Sequence, residues 1–379
     1  MWIELARDPA TGKRRQQTVT VRGTKKDAER KLAELQHQID SGGYVRLAKM
    51  TIGEFLRRWL KDYASTNVRA RTLEGYRGIV ERHLVPSLGN ILLNELRPQH
   101  LQAYYSDRLS GGRRDGKGGL SPRSVLHHHR VVFEALEHAV KWGLVPRNAA
   151  RSIDPPRPRH KEMKALDGPS LNRLLEAAMS TPYHSLFVLA AHTGMRRSEL
   201  LGLRWQDVDL EMATVSVTQV MHRLKDGRVV YDEPKTAKGR RLIALTPTAA
   251  LALRAHRERQ KADRAVLEAP LTGDNLVFEH IDSSPLVPDY VTKVFGRLAC
   301  RLGLGNIRFH DLRHTHASLM LKQGVHPKIV SERLGHSTIA ITLDVYSHVT
   351  PGLQQAAAKS FEKSLADPQT VEDAPVSSL

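Results

Sequence analysis

The chain has 379 residues, 40% of them hydrophobic, and carries 58 Lys+Arg against 40 Asp+Glu, a formal net charge of +18. That length suits two or three domains with real apolar cores, and the charge predicts attraction to a polyanion, either nucleic acid or an anionic membrane surface. Apolar runs such as "LFVLAA" at 186–191 fall far below the roughly 18 residues that span a bilayer. The opening "MWIELARDPATGKRRQ" lacks the apolar centre of a secretory signal, and the lone Cys300 excludes an internal disulfide and any cysteine-based zinc finger. The expectation is a cytoplasmic protein, nucleoid-associated and free of membrane, in which Cys300 is a small buried apolar residue.

Residues 1–22 alternate and are rich in β-type side chains, with "DPATGK" (8–13) as a turn, and "TKKDAERKLAELQHQID" (24–40) reads as a helix stopped by Ser41-Gly42-Gly43. This is a small, basic α+β module. A helical region follows. Ile52, Phe55, Leu56, Trp59, Leu60 and Tyr63 share one helix face. A second helix runs from about Arg71 to His83, before Pro86, and a third starts near Pro98. A flexible basic loop, "GGRRDGKGG" (111–119), leads to a fourth, with Ser121 as N-cap and Pro122 at its first position, ending at Gly143. "DPPRPRHK" (154–161) reads as an extended linker. Beyond it, helices run through Leu203. Strand-like segments follow at 213–224, 228–233 and 240–245, the first two joined at Asp226-Gly227. The remainder is helical up to a tail, "ADPQTVEDAPVSSL" (366–379), whose composition predicts disorder.

The stretch "NIRFHDLRHTHASLM" (306–320) crowds arginines and histidines around Asp311. On a helix advancing roughly 100° per residue, His310 and His314 lie about 40° apart and His316 points to the other side. One helix thus supplies at most two metal ligands, with arginines beside them. Arg313 and His310 do share a side. A guanidinium grips two phosphate oxygens, and an imidazole exchanges a proton near neutral pH. A phosphate clamp and a merely solvated basic face both fit this stretch. "HTGMRRSELLGLRW" (192–205) puts Arg196 after a glycine at a helix N-terminus, a position that favours anions, anchored by Leu200, Leu201 and Leu203. "EPKTAKGRR" (233–241) puts Lys235 on a hairpin, with Lys238 and Lys225 as rivals, and "ERLGHSTIAITLDVYSHV" (332–349) sets His336 after a glycine and Tyr346 on a short helix.

In this order and spacing, "TGMRRSELLGLRW", "PKT", "HDLRHTHAS" and "LGHSTIAITLDVYSHV" resemble the boxes of the tyrosine recombinase, or phage-integrase, family of the integrase type. The resemblance covers the second half strongly and the first half more loosely. It implies a multidomain fold: a small α+β arm-binding-like module (1–44), an all-α four-helix core-binding domain (49–152), a linker (153–162), a mainly α (α+β) catalytic domain with a small antiparallel sheet (163–351), and a C-terminal helix with a disordered tail (352–379). It implies one further strand ahead of the "DPATGK" turn, for which there is little room, so either the start lies upstream or the module is reduced. It also implies strand cleavage by Tyr346 through a 3′-phosphotyrosyl link. Arg196 and Arg313 then bind the non-bridging oxygens, His310 moves the tyrosine proton, His336 bonds the phosphate and Lys235 protonates the leaving 5′-oxygen. Glu199 and Asp311 either orient these groups or cap helices. His314 and His316 read as structural, and His127-His128-His129 as a mixed helix face near DNA. The resemblance implies no cofactor and no metal. Its partners are double-stranded attachment-site DNA, a homotetramer on paired sites from a monomer or weak oligomer, and an accessory bending or directionality factor. Residues 352–365 read as a helix passed to a neighbour or kept in place. The alternatives are a catalytically silent DNA-binding regulator, and a Xer-like resolvase or topoisomerase-like enzyme.

Overall fold

The computed structural model describes residues 2–5, 15–18, 20–21, 23–40, 50–113, 115–158, 164–234, 236–347, 358 and 361–362. It divides into two compact units, 1–160 and 161–379. Both are mostly helical, with small antiparallel sheets. Among the described residues no helix is long and apolar enough to cross a membrane.

In the first unit β1 (Trp2–Leu5) pairs antiparallel with β2 (Arg15–Thr18), and Trp2 lies opposite Thr18. The expected turn at 8–13 lies outside the described residues. Helix α1 (Lys25–Asp40) begins where the Thr24 amide donates to Asp27 Oδ2 at 3.0 Å, so a side chain satisfies a donor at the helix start. Its expected stop at 41–43 also lies outside the described residues.

Helix α2 (Ile52–Trp59) opens on a reciprocal cap. The Glu54 amide donates to Thr51 Oγ1 at 3.2 Å, and the Thr51 amide donates to Glu54 Oε2 at 2.8 Å. It buries Ile52, Phe55, Leu56 and Trp59. A π-helical turn (Leu60–Ala64) and α3 (Ser65–Asn67) continue it. The next helix departs from expectation. Helix α4 (Ala70–Ile79) does not stop before Pro86 but passes through a π-helical turn (Val80–Leu84) into α5 (Val85–Leu88). The wider turn resets the ladder, with the Val85 amide bonding back to Val80 O. Pro86 thereby takes a first-turn position, where a missing N–H costs nothing. Helices α6 (Pro98–Gly111) and α7 (Pro122–Lys141) follow, and the Ser124 amide donates to the Ser121 cap at 3.2 Å. Between them Arg113 pairs with Asp115 and its amide bonds Gly118 O, so this loop is stitched to itself. His128 and His129 are buried rather than set on a DNA-facing surface; their Nδ1 atoms bond the Tyr104 and Tyr105 hydroxyls at 2.9 Å. Only His127 of that run is exposed.

The second unit begins with α8 (Gly168–Ala178), capped by Asp167, then α9 (His184–Thr193) and the five-residue α10 (Arg197–Leu201). Strands β3 (Val208–Asp209), β4 (Thr214–Val217), β5 (Val220–Arg223), β6 (Val229–Asp232) and β7 (Arg241–Ala244) form two sheets. One has the order β3-β4-β7, with Val215 opposite Ile243, and the other is the β5-β6 hairpin turning at Gly227, φ +89°. The expected single strand 213–224 is therefore two. Thr218 Oγ1 donates to Asp207 and Gln219 Nε2 to Gly202 O, and between these two side-chain bonds the chain changes partner strand. Helices α11 (Pro247–Val266), α12 (Pro288–Arg301), α13 (Asp311–Lys322), α14 (Pro327–Leu334) and α15 (Ala340–Ser347) complete the unit. Cys300 is exposed, against expectation. The buried stripe of α12 is Val291, Phe295, Leu298 and Ala299, and position 300 is rotated off it. The expected helix 352–365 and the tail lie almost wholly outside the described residues.

The core under the second unit centres on Phe187 of α9. Its ring meets Phe295 edge-on at 5.5 Å between centroids and Phe309 at 5.9 Å, and Phe187 is fully buried. Phe187→Ala should cost about 3–5 kcal/mol, the range for aromatic truncation in a core. Urea unfolding followed by tryptophan fluorescence would show a lower midpoint; an unchanged midpoint would contradict this packing.

Candidate active site

Helix α9 ends at Gly194, which takes the left-handed conformation (φ +65°). A Cβ there would lie 2.4 Å from Leu334 Cδ2, so glycine is required twice over, by backbone and by space. The turn delivers Arg196 to the start of α10. The Glu199 carboxylate accepts the Arg196 amide at 2.8 Å and Arg196 Nη1 at 2.6 Å. Glu199 therefore both caps and orients. The helix N-terminus expected to favour an anion is instead occupied by this carboxylate, on a helix of only five residues.

Helix α13 supplies the second arginine. Arg313 is buried, and its Nη1 and Nη2 donate to Gly194 O (2.8 Å) and Leu334 O (2.7 Å). Arg196 Nη2 donates to Gly335 O at 3.1 Å. Those carbonyls lie at the C-terminal ends of α9 and α14. Helix C-termini carry partial negative charge and stabilise cations, so two helices direct their negative ends at the arginine pair. His310 sits just before α13 with its ring 5.2 Å from His314, edge to face. Asp311 binds the Arg308 amide (2.8 Å) and guanidinium (2.7 Å), so it caps this turn and holds Arg308. His316 is structural. Its Nδ1 bonds Ala191 O at 2.9 Å, and its Nε2 accepts from Arg333 Nε at 3.1 Å.

Helix α14 ends in a second left-handed glycine, Gly335 (φ +65°), and the next residue is His336. His336 is buried, and its Nδ1 lies 2.8 Å from the Thr342 hydroxyl on α15. Position 346 comes one turn later on that helix; the Tyr346 side chain and Lys235 lie outside the described residues. Of Lys235's rivals, Lys238 reaches the same turn, its Nζ donating to Ser337 O at 3.1 Å. Arg196, His310, Arg313 and His336 thus converge, each of these histidines feeling the charge of both arginines.

Sequence reading missed Arg241. Its side chain is 7% exposed and donates to both Glu199 oxygens. A signal existed: in β7 the alternation puts residue 241 on the face of buried Ile243, and an arginine on a buried face needs an anion. Electrostatics follow from this crowding. Burial would raise the Glu199 pKa, but Arg241 and Arg196 outweigh it and hold the carboxylate below its usual range. Burial, then Arg196, lowers Arg313 to about 9, still fully protonated at neutral pH. Burial, then Arg313 and Arg196, pushes His336 to about 3. His310 falls to about 4 through burial of its ring, then His314 and Arg313. Among the described residues, no three His, Cys, Asp or Glu side chains converge as metal ligands.

Residues 164–352 match the phage integrase family, and residues 51–109 match the phage integrase N-terminal SAM-like domain. The chain is 26% identical over 356 residues to a XerC-like tyrosine recombinase of Caldanaerobacter subterraneus subsp. tengcongensis, covering 89% of each. It is 27% identical over 373 residues to an integrase of Streptomyces ambofaciens, covering 94% of this chain and 92% of that one. Two solved structures share the fold. The Tn1549 transposon integrase in complex with a circular intermediate DNA has TM-score 0.68 and 21% identity, and covers 82% of this chain and 99% of that one. The lambda integrase tetramer bound to a Holliday junction has TM-score 0.56 and 17% identity, and covers 89% and 90%. The fold and these relatives define the class, a tyrosine site-specific recombinase. The chain belongs to the phage integrase family.

The buried histidines make a pH prediction. Burial, then Arg333, lowers His316 from 6.5 to about 4, and its two bonds require the neutral ring. In the unfolded chain the same ring takes a proton near 6.5. Protons therefore bind preferentially to the unfolded state, and stability present above pH 6.5 is lost as pH falls towards 4. Urea midpoints should be constant from pH 8 to 7 and drop between pH 6.5 and 4.5; a flat profile to pH 4.5 would contradict the assignment.

Proposed function

We propose that this recombinase cuts and rejoins double-stranded DNA at attachment sites through a 3′-phosphotyrosyl intermediate on Tyr346, and that it integrates or excises a prophage or similar mobile element. The observation that carries the reading is the convergence of Arg196, Arg313 and His336 on two glycine turns, with Thr342 tying His336 to the helix that bears position 346.

The chemistry sets the demand. A phenol with pKa about 10 is ionised in about one molecule per thousand near pH 7, a deficit of about 4 kcal/mol in the barrier. Two guanidiniums facing the non-bridging oxygens stabilise the charge that grows in the transition state. His310, kept neutral, accepts the tyrosine proton and returns it on rejoining. With the Thr342 hydroxyl donating to Nδ1, a neutral His336 carries its proton on Nε2 and donates it to phosphate. Lys235 protonates the departing 5′-oxygen. The covalent link conserves the phosphodiester energy, so rejoining is the reverse attack and no cofactor or metal takes part.

In this reading residues 1–44 form the arm-binding-like module, 49–152 the four-helix core-binding domain, 153–162 the linker and 163–351 the catalytic domain. The helix at 352–365 is passed to a neighbouring copy within a tetramer on paired sites. The net charge of +18 suits the DNA partner. An accessory bending or directionality factor and a nucleoid location go with the same reading. A silent regulator would have no use for a buried guanidinium, Arg313, set beside the part-exposed one of Arg196. A topoisomerase or Xer-like resolvase would leave the 1–44 module without a task.

A trapping assay tests this. Labelled duplexes tiled across the DNA flanking the gene are nicked so that the cut end diffuses away. Wild type should give an adduct on a denaturing gel and Tyr346→Phe none, with native shifts equal. An adduct that persists in the Phe variant would sink the nucleophile assignment. On the trapping duplex, Arg313→Ala should lower the cleavage rate about a hundredfold or more, measured by single-turnover quench; a loss below threefold would remove Arg313 from the clamp.

A further inference from the structure

We propose that Arg241 is a positioning residue for strand cleavage, acting through Glu199 on Arg196 and through main-chain carbonyls on the basic arm at 236–241. The proposal rests on the recombinase reading above.

Among the described residues, Arg241 makes no hydrogen bond to the groups assigned to the phosphate. It lies behind them, with its donors divided among three segments. Nε donates to Arg333 O (2.7 Å) at the end of α14, and Nη1 donates to Gly239 O (3.0 Å) within the arm. Nη1 and Nη2 reach Glu199 Oε1 (3.3 Å) and Oε2 (2.9 Å). Glu199 is thereby saturated, since the same two oxygens hold Arg196 Nη1 and the Arg196 amide. The arm is also fastened by Lys238 to Ser337 O. The fit is close: a Cβ on Gly335 would lie 2.9 Å from both Arg241 Nη1 and Lys238 O.

A structural tie alone would not need this arrangement. A buried guanidinium carries a heavy desolvation cost, and an apolar residue packs a sheet edge at least as well. The charge count gives the second guanidinium its purpose. Glu199 alone with Arg196 would orient that arginine but neutralise it, leaving little for a phosphate. Arg241 takes up the carboxylate's charge, so Arg196 is oriented and stays effectively cationic. The same side chain ties residue 239, close after Lys235, to the turn that carries His336.

The test uses the full chain and the nicked duplex on which wild type forms its adduct. Single-turnover adduct formation at saturating DNA is compared with native-gel Kd and melting temperature. Arg241→Met should slow adduct formation about ten- to a hundredfold, with Kd changed less than about twofold, and Arg241→Lys should recover part of the loss. Glu199→Gln should cost a similar factor, and the double variant little more, because residues acting as one unit are non-additive. On a duplex carrying a neutral methylphosphonate at the cut phosphate, the Arg241→Met loss should shrink to below about threefold, since there is less charge for Arg196 to meet. Additive losses, an equal loss on the methylphosphonate, or a loss seen only in binding or melting would overturn the proposal. Should Arg241→Met melt below the assay temperature, Arg241→Lys carries the same comparisons. An active wild type with an unimpaired Arg241→Met removes the positioning role alone; a wild type without adduct on any tiled duplex removes the reading beneath it.

Discussion

The Glu199 carboxylate, buried at the start of α10, is among the described residues the one anion set between Arg196, Arg241 and Arg313, and the arrangement of the second unit's centre depends on it. Three guanidiniums this close repel, and their repulsion grows as water is excluded. One carboxylate cannot cancel three charges. The balance comes from the main chain: the carbonyls of Gly194, Arg333, Leu334 and Gly335 accept from the arginines at 2.7–3.1 Å. These groups belong to the carbonyl ends of α9 and α14, where helix dipoles favour cations. The cluster is thus held together while staying positive, which is the property an anion site needs.

This explains why glycines close both helices. Each must reverse the chain within a single left-handed residue and let another group approach within a side chain's width: Leu334 at Gly194, and the Arg241 guanidinium at Gly335. The apolar core does the rest. Phe187 and Leu189 on α9 and Leu312 on α13 are buried together, so the helices carrying the arginine turns cannot slide independently. Thr315 on α13 also accepts the Leu166 amide at 3.0 Å, seating the entry of the unit against the same helix.

Much of this was legible in the sequence. The cap at Ser121 marks a helix start because its side chain satisfies an orphan amide locally. The boxes around Arg196, Arg313 and His336 were legible because spacing and resemblance coincide there. What escaped was decided by non-local contacts. Pro86 sits inside a helical run because a π-helical turn precedes it, and nothing in the local pattern announces that turn. The break at Thr218–Gln219 depends on Asp207 and Gly202, distant in sequence. His128 and His129 looked like surface groups because the tyrosine hydroxyls that accommodate them lie on another helix. Arg241 went unread because its segment was read for lysines, although strand alternation points it inward. Cys300 erred the other way: a residue type that favours the interior falls on the wrong side of its helix.

The contacts around the arginines also bear on how such a site is mapped. Alanine scanning reads side chains, and four of the acceptors here are backbone oxygens that survive any substitution of the residues owning them. Leu334 or Arg333 changed to alanine would still present its carbonyl. A scan of the segment 333–335 therefore reports on packing and turn geometry while the oxygens that steady the cations go unscored, and a tolerant position there is no sign of an idle one.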